Sequence, residues 1–121
     1  MAEHVQEALD RMVAPLRDLM EREIFTDQEI RVIVARRRES EYLLRRLTAR
    51  KADFLRYIQA EQGLEKLRQL RTKQRQRDHL KSKTTSESKQ EEHIGDAHIV
   101  QHLHLLFVRA IRKFRSDLSL H

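Results

Sequence analysis

The sequence predicts an all-α fold of antiparallel helices, and three observations carry that expectation. Glycine occurs twice and proline once in 121 residues, too few turn formers for a sheet protein, which needs them at every hairpin. Apolar residues recur at spacings of three and four, the period of a helix with one buried face. Thr26-Asp27-Gln28-Glu29 is a capping box, in which the Thr26 hydroxyl accepts from the Glu29 amide and the Glu29 carboxylate reaches back. The length fits one domain. At 39% apolar and 36% charged, the chain can bury only one narrow stripe per helix.

The first helix is expected over 2–22, with Val5, Leu9, Met12, Leu16 and Leu19 on one stripe. Pro15 removes a backbone donor and crowds the preceding turn. Because the stripe keeps its phase across it, a kink near Arg11–Ala14 is favoured over a break into two helices. Ile24-Phe25 link this segment to a second helix running from the capping box to about Leu47, with Phe25 and Ile30 as a hydrophobic staple. Ile30, Ile33, Val34, Leu44 and Leu47 are its apolar positions. Arg37 and Ser40 interrupt the stripe, so 36–41 is expected to be its least buried part.

Thr48 is the next candidate cap. The central helix follows to about Arg77, with Phe54, Tyr57, Ile58, Leu64, Leu67 and Leu70 on its stripe. Past Leu70 the sequence is wholly polar, and a helix end without an apolar face gains little from packing, so it should project or fray. Residues 79–92 read as a flexible polar linker. The last full helix, 93–115, carries Ile99, Leu103, Leu106, Phe107, Ala110, Ile111 and Phe114, the strongest stripe in the chain. Residues 116–121 resemble the start of a further, truncated helix, an abrupt end expected of a piece of a longer protein.

Several function classes lack their chemistry. There is no cysteine, hence no disulfide, thiol catalysis or Cys-ligated zinc. With only Gly63 and Gly95, no phosphate-cradling glycine loop can be written. No His-Glu-x-x-His helix and no Gly-flanked nucleophile occur, so no enzyme activity and no cofactor are expected. His98 and His102 stand at i and i+4, within reach of one metal ion, but no third ligand follows at a recognisable spacing. The plainer reading places them on the polar side of their helix. No apolar run approaches the ~20 residues of a membrane span, and the N-terminus lacks the pattern of a secretory signal.

Charge is the informative feature. The net charge is +6. Residues 1–29 carry three Arg against eight acids, whereas residues 36–83 carry sixteen Lys or Arg against six acids. The candidate contacts for RNA or an acidic partner are Arg36, Arg37, Arg38, Arg45, Arg46, Arg71, Lys73, Arg75 and Arg77. Binding through them would be salt-sensitive and largely independent of sequence. Solvated helix surface with intrahelical ion pairs is the competing account. The Arg71–Arg77 stretch favours contact, since basic and neutral residues alternate there with no acid. Exposed apolar surface, inviting a partner helix, is the other candidate.

Phe54-x2-Tyr57-x3-Glu61 resembles the first helix of the half-a-tetratricopeptide (HAT) repeat, and Leu106-Phe107-Val108-Arg109-Ala110-Ile111 resembles its second helix. Phe54 departs from the commoner Trp, and Val108 stands where Glu is expected. Phe25-Thr-Asp-Gln-Glu-Ile30, Glu41-Tyr42, Arg46-x-Thr48, the Phe54–Glu61 motif and Phe107-x-Arg109-Ala110, in this order, resemble the N-terminal region of the U3 small nucleolar RNA-associated protein 6 family across residues 2–120.

The resemblance implies a non-catalytic HAT-repeat scaffold of the small-subunit processome, in the nucleus and nucleolus. Its partners would be the other UtpB subunits, which are WD40-propeller proteins, with pre-rRNA or U3 snoRNA as a candidate contact and no membrane. Residues 2–47 would cap a first HAT-like pair formed by 48–78 and 93–115. Phe54, Tyr57, Glu61, Phe107, Arg109 and Ala110 would be repeat-packing residues. A direct RNA-binding basic module and a helical adaptor from another RNA-processing HAT-repeat protein are the alternatives.

Overall fold

The computed structural model describes residues 2–82 and 93–115. Among them are five helices, α1 (Ala2–Asp10), α2 (Val13–Glu21), α3 (Asp27–Leu44), α4 (Lys51–Ser82) and α5 (His98–Lys113), and no strand. The fold is therefore all-α. Most of the linker expected at 79–92 and the helix start expected at 116–121 lie outside the described residues, and α4 takes up 79–82.

Pro15 breaks the first segment rather than kinking it. The turn at Arg11-Met12 separates α1 from α2 and places Pro15 in the first turn of α2. An amide there has no intrahelical acceptor in any case, so a proline costs nothing in hydrogen bonds. The apolar stripe nevertheless runs through both helices: Val5, Leu9, Met12, Leu16 and Leu19 are all buried. α2 ends in a Schellman arrangement, with Ile24 N–H donating to Leu19 O and Glu23 N–H to Met20 O. Glu23 takes the left-handed position, φ 61°, that glycine usually fills.

The capping box starts α3 as expected: Thr26 Oγ1 accepts from the Glu29 amide at 3.1 Å, and Glu29 Oε1 accepts from the Thr26 amide at 2.9 Å. α3 stops at Leu44, earlier than expected, which leaves Leu47 fully exposed. Thr48 does not cap α4. Asp53 starts that helix instead, its carboxylate accepting from the Arg50 amide at 2.9 Å.

Contacts along α3, α4 and α5 run in opposite orders, which makes neighbours antiparallel. Glu29, Arg37 and Glu41 of α3 meet Arg71, Glu61 and Tyr57 of α4. Phe54 and Tyr57 of α4 meet Phe114, the residue that ends α5, and His102 within it. Two apolar clusters result. One joins the α1–α2 stripe to Ile24, Phe25, Ile33 and Ile99, with Leu64 and Leu67 against it. The other holds Leu44, Ala49, Phe54, Tyr57, Ile58 and Leu106. Leu103 touches both.

Candidate functional site

Between the two apolar clusters lies a layer of buried charge. The inward positions of α3 are Ile33, Arg37, Glu41 and Leu44, so the helix stripe passes through a cation and an anion. Arg37 and Glu41 are each 1% exposed and Glu61 is 3% exposed. The expectation that 36–41 is the least buried part of α3 is overturned at these two positions. α4 supplies the reason: Arg37 donates to both carboxylate oxygens of Glu61, at 2.6 and 2.9 Å. A bidentate pair of this kind compensates the desolvation that would otherwise forbid burial. Glu41 in turn accepts from Tyr57 Oη at 3.1 Å and from Arg109 Nη1 at 3.0 Å.

The histidines complete the layer from α5. Arg37 Nη1 lies 2.8 Å from His98 Nε2. A guanidinium can only donate, so His98 accepts at Nε2 and carries its proton at Nδ1. Burial, and then Arg37, pull the His98 pKa down to about 4. Tyr57 Oη lies 2.7 Å from His102 Nε2. With the phenol proton given to Glu41, His102 donates from Nε2. Burial first, then Arg37, His98 and Arg109, lower the His102 pKa to about 3. Burial also raises the Tyr57 pKa, with Glu41 and Glu61 acting the same way. Both imidazoles are neutral, inward-facing links, which corrects the placement of His98 and His102 on the polar side of α5. Their Nε2 atoms are already engaged with Arg37 and Tyr57.

A second network ties the first segment to the approach to α5. Arg22 bridges Asp18 at 2.7 Å and Asp96 at 2.9 Å, and Arg68 joins Asp96 to Glu65. The Gly95 amide donates to Asp18 Oδ2 at 2.9 Å. Burial acts to raise the Asp18 pKa, but Arg22 and the Gly95 amide hold it below the usual carboxylate range. A Cβ on Gly95 would lie 2.8 Å from Pro15 O and 2.7 Å from Leu19 Cγ. Only glycine permits this approach.

The candidate basic residues divide once the fold is known. Arg37 is sealed inside and cannot touch a partner, so its candidacy is withdrawn. Arg45 is half-buried, 3.7 Å from Glu41 Oε2. Arg71 donates to Glu29 Oε1 at 2.7 Å and to Ile24 O at 3.1 Å, and its guanidinium lies over the Phe25 ring. Arg71 first, then the Thr26 amide, lower the Glu29 pKa to about 2. Arg75 pairs with Glu23. The Arg71–Arg77 stretch therefore does have compensating acids, contributed by the α2–α3 connection and α3. Together these groups line a cleft of about 410 Å³ with Ile24, Thr26, Gln74 and Asp78. Arg36, Arg38, Arg46, Lys73 and Arg77 remain exposed.

The expected packing residues divide as well. Phe54 and Tyr57 are buried, and Arg109 and Ala110 are half-buried. Phe107 is not a packing residue within this fold: it is 44% exposed. On α5 the inward face belongs to Ile99, His102 and Leu106. Val100, Phe107 and Ile111, at i, i+7 and i+11, share the outward face. Sequence reasoning missed Arg68 and Gly95, and it singled out His98 and His102 without finding their partners Arg37 and Tyr57. For Arg37 and Glu41 a signal did exist, since both continue the i, i+4 phase of Ile33.

Two comparisons bear on this arrangement. Residues 9–97 match the profile of the U3 small nucleolar RNA-associated protein 6 family, a span that includes Arg37, Glu41, Tyr57 and Glu61. The chain is also 36% identical over 120 residues to U3 small nucleolar RNA-associated protein 6 of Schizosaccharomyces pombe, covering 99% of this chain and 22% of that relative. It thus spans under a quarter of the relative's length. A profile match through most of the chain, joined to a relative aligned along nearly all of it, shows that this chain belongs to the U3 small nucleolar RNA-associated protein 6 family.

Proposed function

We propose that the chain is a non-catalytic docking module of the small-subunit processome, working in ribosome biogenesis and precursor rRNA processing in the nucleolus. The observation that carries this reading is the outward face of α5. Val100, Phe107 and Ile111 are about half exposed, although the opposite face of the same helix is already packed. An amphipathic helix needs only one apolar face to fold, so a second one is surface kept for a partner. A helix or peptide from a neighbouring protein is the natural occupant. On this reading the partners are UtpB subunits of the WD40-propeller type, residues 2–47 cap the stack, and α4 with α5 form a first HAT-like pair. Family membership supports the setting. Among the described residues, no helix is long and apolar enough to cross a membrane.

The test is a double substitution, Phe107→Glu with Ile111→Glu, in the complete protein. Recovery of propeller subunits and of U3 snoRNA is measured after immunoprecipitation, with and without nuclease. The expected result is loss of the propeller subunits in both conditions with the thermal melt unchanged. Undiminished recovery of those subunits would sink the reading.

A further inference from the structure

α4 is 32 residues long, and its charges are sorted by face. At 100° per residue, Asp53, Glu61, Glu65 and Asp78, its four acids, fall within one half of the helix surface. Three of them are committed: Asp53 to the Arg50 amide, Glu61 to Arg37 and Glu65 to Arg68. Asp78 lines the cleft with Arg71 and Arg75. The opposite sector carries Leu55, Gln59, Gln62, Lys66, Gln69, Leu70, Lys73, Arg77 and Leu80, all exposed, and no acid.

Lys66, Lys73 and Arg77 follow one another at i, i+7 and i+11, on one line along the helix. None has an acid three or four residues away on α4, and none makes an ion pair among the described residues. The fold therefore divides the basic stretch into two sets. Arg68, Arg71 and Arg75 are neutralised on the inward side, where they hold other segments. Lys66, Lys73 and Arg77 are left unneutralised on the outward side.

We propose that this outward face of α4 binds the phosphate backbone of RNA through Lys66, Lys73 and Arg77. The three cations span roughly 16 Å at 1.5 Å per residue, about five nucleotides of a stacked strand at 3.4 Å each. Gln62 and Gln69 flank Lys66 on the same face as donors for phosphate or ribose oxygens. An acidic partner helix would need an apolar seam beside the charges. The exposed leucines of this face, Leu55, Leu70 and Leu80, lie fifteen and ten positions apart, with Gln59, Gln62, Gly63 and Lys66 and then Lys73, Gln74 and Arg77 between them, so no continuous seam exists. Nothing here recognises a base edge, and binding is backbone-directed. The proposal concerns a different helix from the docking face on α5 and does not rest on it.

The test uses the complete protein with Lys66→Gln, Lys73→Gln and Arg77→Gln combined. The probe is a fluorescently labelled mixed-sequence RNA oligonucleotide, titrated over a range of salt, with polyglutamate as a parallel ligand. Binding near physiological salt should weaken by roughly tenfold or more, and the slope of log affinity against log salt should become shallower by about two to three. The melt should not change, because these side chains hold nothing. An unchanged affinity and slope would overturn the proposal. So would a loss of polyglutamate binding without loss of RNA binding, which would assign the face to an acidic protein.

Discussion

Leu19 and Arg37, at the centres of the apolar cluster and the charged layer, are equally buried, yet the two regions constrain the fold in different ways. Leu19 is fully buried among Leu16, Phe25 and Ile99, residues that ask of a neighbour only volume and apolarity. Such a surface tolerates sliding and volume-conserving apolar substitution at modest cost. Arg37 accepts only a neighbour that presents a carboxylate at its own height. Glu61 does so, and the Tyr57–Glu41–Arg109 contacts repeat the requirement a turn away. Three helices that could pack at several registers through their apolar stripes are thus held to one. The head of the molecule supplies burial, and the charged layer supplies alignment.

Removing one partner of the buried pair has the largest consequence. Arg37→Met leaves Glu61 buried without a counter-charge and should cost about 3–5 kcal/mol in urea unfolding. Leu19→Ala should cost about 2–5 kcal/mol by leaving a cavity, so the single changes alone do not separate the two regions. The double change Arg37→Met with Glu61→Leu does. It should recover most of the loss, because two apolar groups replace two desolvated charges. If the double variant is as unstable as the single, the layer contributes more than its own internal balance.

Acid acts on the charged layer and not on the apolar cluster. His98 and His102 titrate at about 4 and 3 in the folded chain against about 6.5 when unfolded. Between these values the unfolded chain binds more protons, so stability is complete above pH 6.5 and falls as the pH drops through 4 and 3. Chemical denaturation followed from pH 7 to pH 4 should show this decline. The double variant His98→Gln, His102→Gln should flatten it. A decline of the same steepness in that variant would place its origin outside the layer.

The smallest effect lies on α4 beyond the layer. Gly63 is exposed, and a Cβ there would meet nothing within 4 Å. Gly63→Ala should therefore stabilise the chain by about 1 kcal/mol through helix propensity alone, read as a raised melting temperature. A loss of stability would mean that the helix bends at Gly63 to reach both apolar clusters.

The local grammar of the chain was legible residue by residue. Thr26 and Glu29 announce the start of α3, and the spacing from Val5 to Leu19 marks a single buried face even across the break at Pro15. The placement of that break was less legible, because stripe phase says nothing about which carbonyls a proline leaves unpaired. Leu47 and Phe107 misled for a related reason: periodicity identifies candidate inward positions but not whether a neighbour covers them. Gly95 gave no sign of its role, since its close approach is to Pro15 and Leu19, far away in the chain.

The helices and their apolar phase thus follow from interactions between residues three or four apart. The fate of the charges depends instead on contacts between distant segments. Arg37 finds Glu61 across 24 residues, and Arg71 finds Glu29 across 42. A side chain's phase along a helix tells where it points. Whether an opposite charge waits there depends on another helix, and that pairing settles which cations are buried structure and which face solvent.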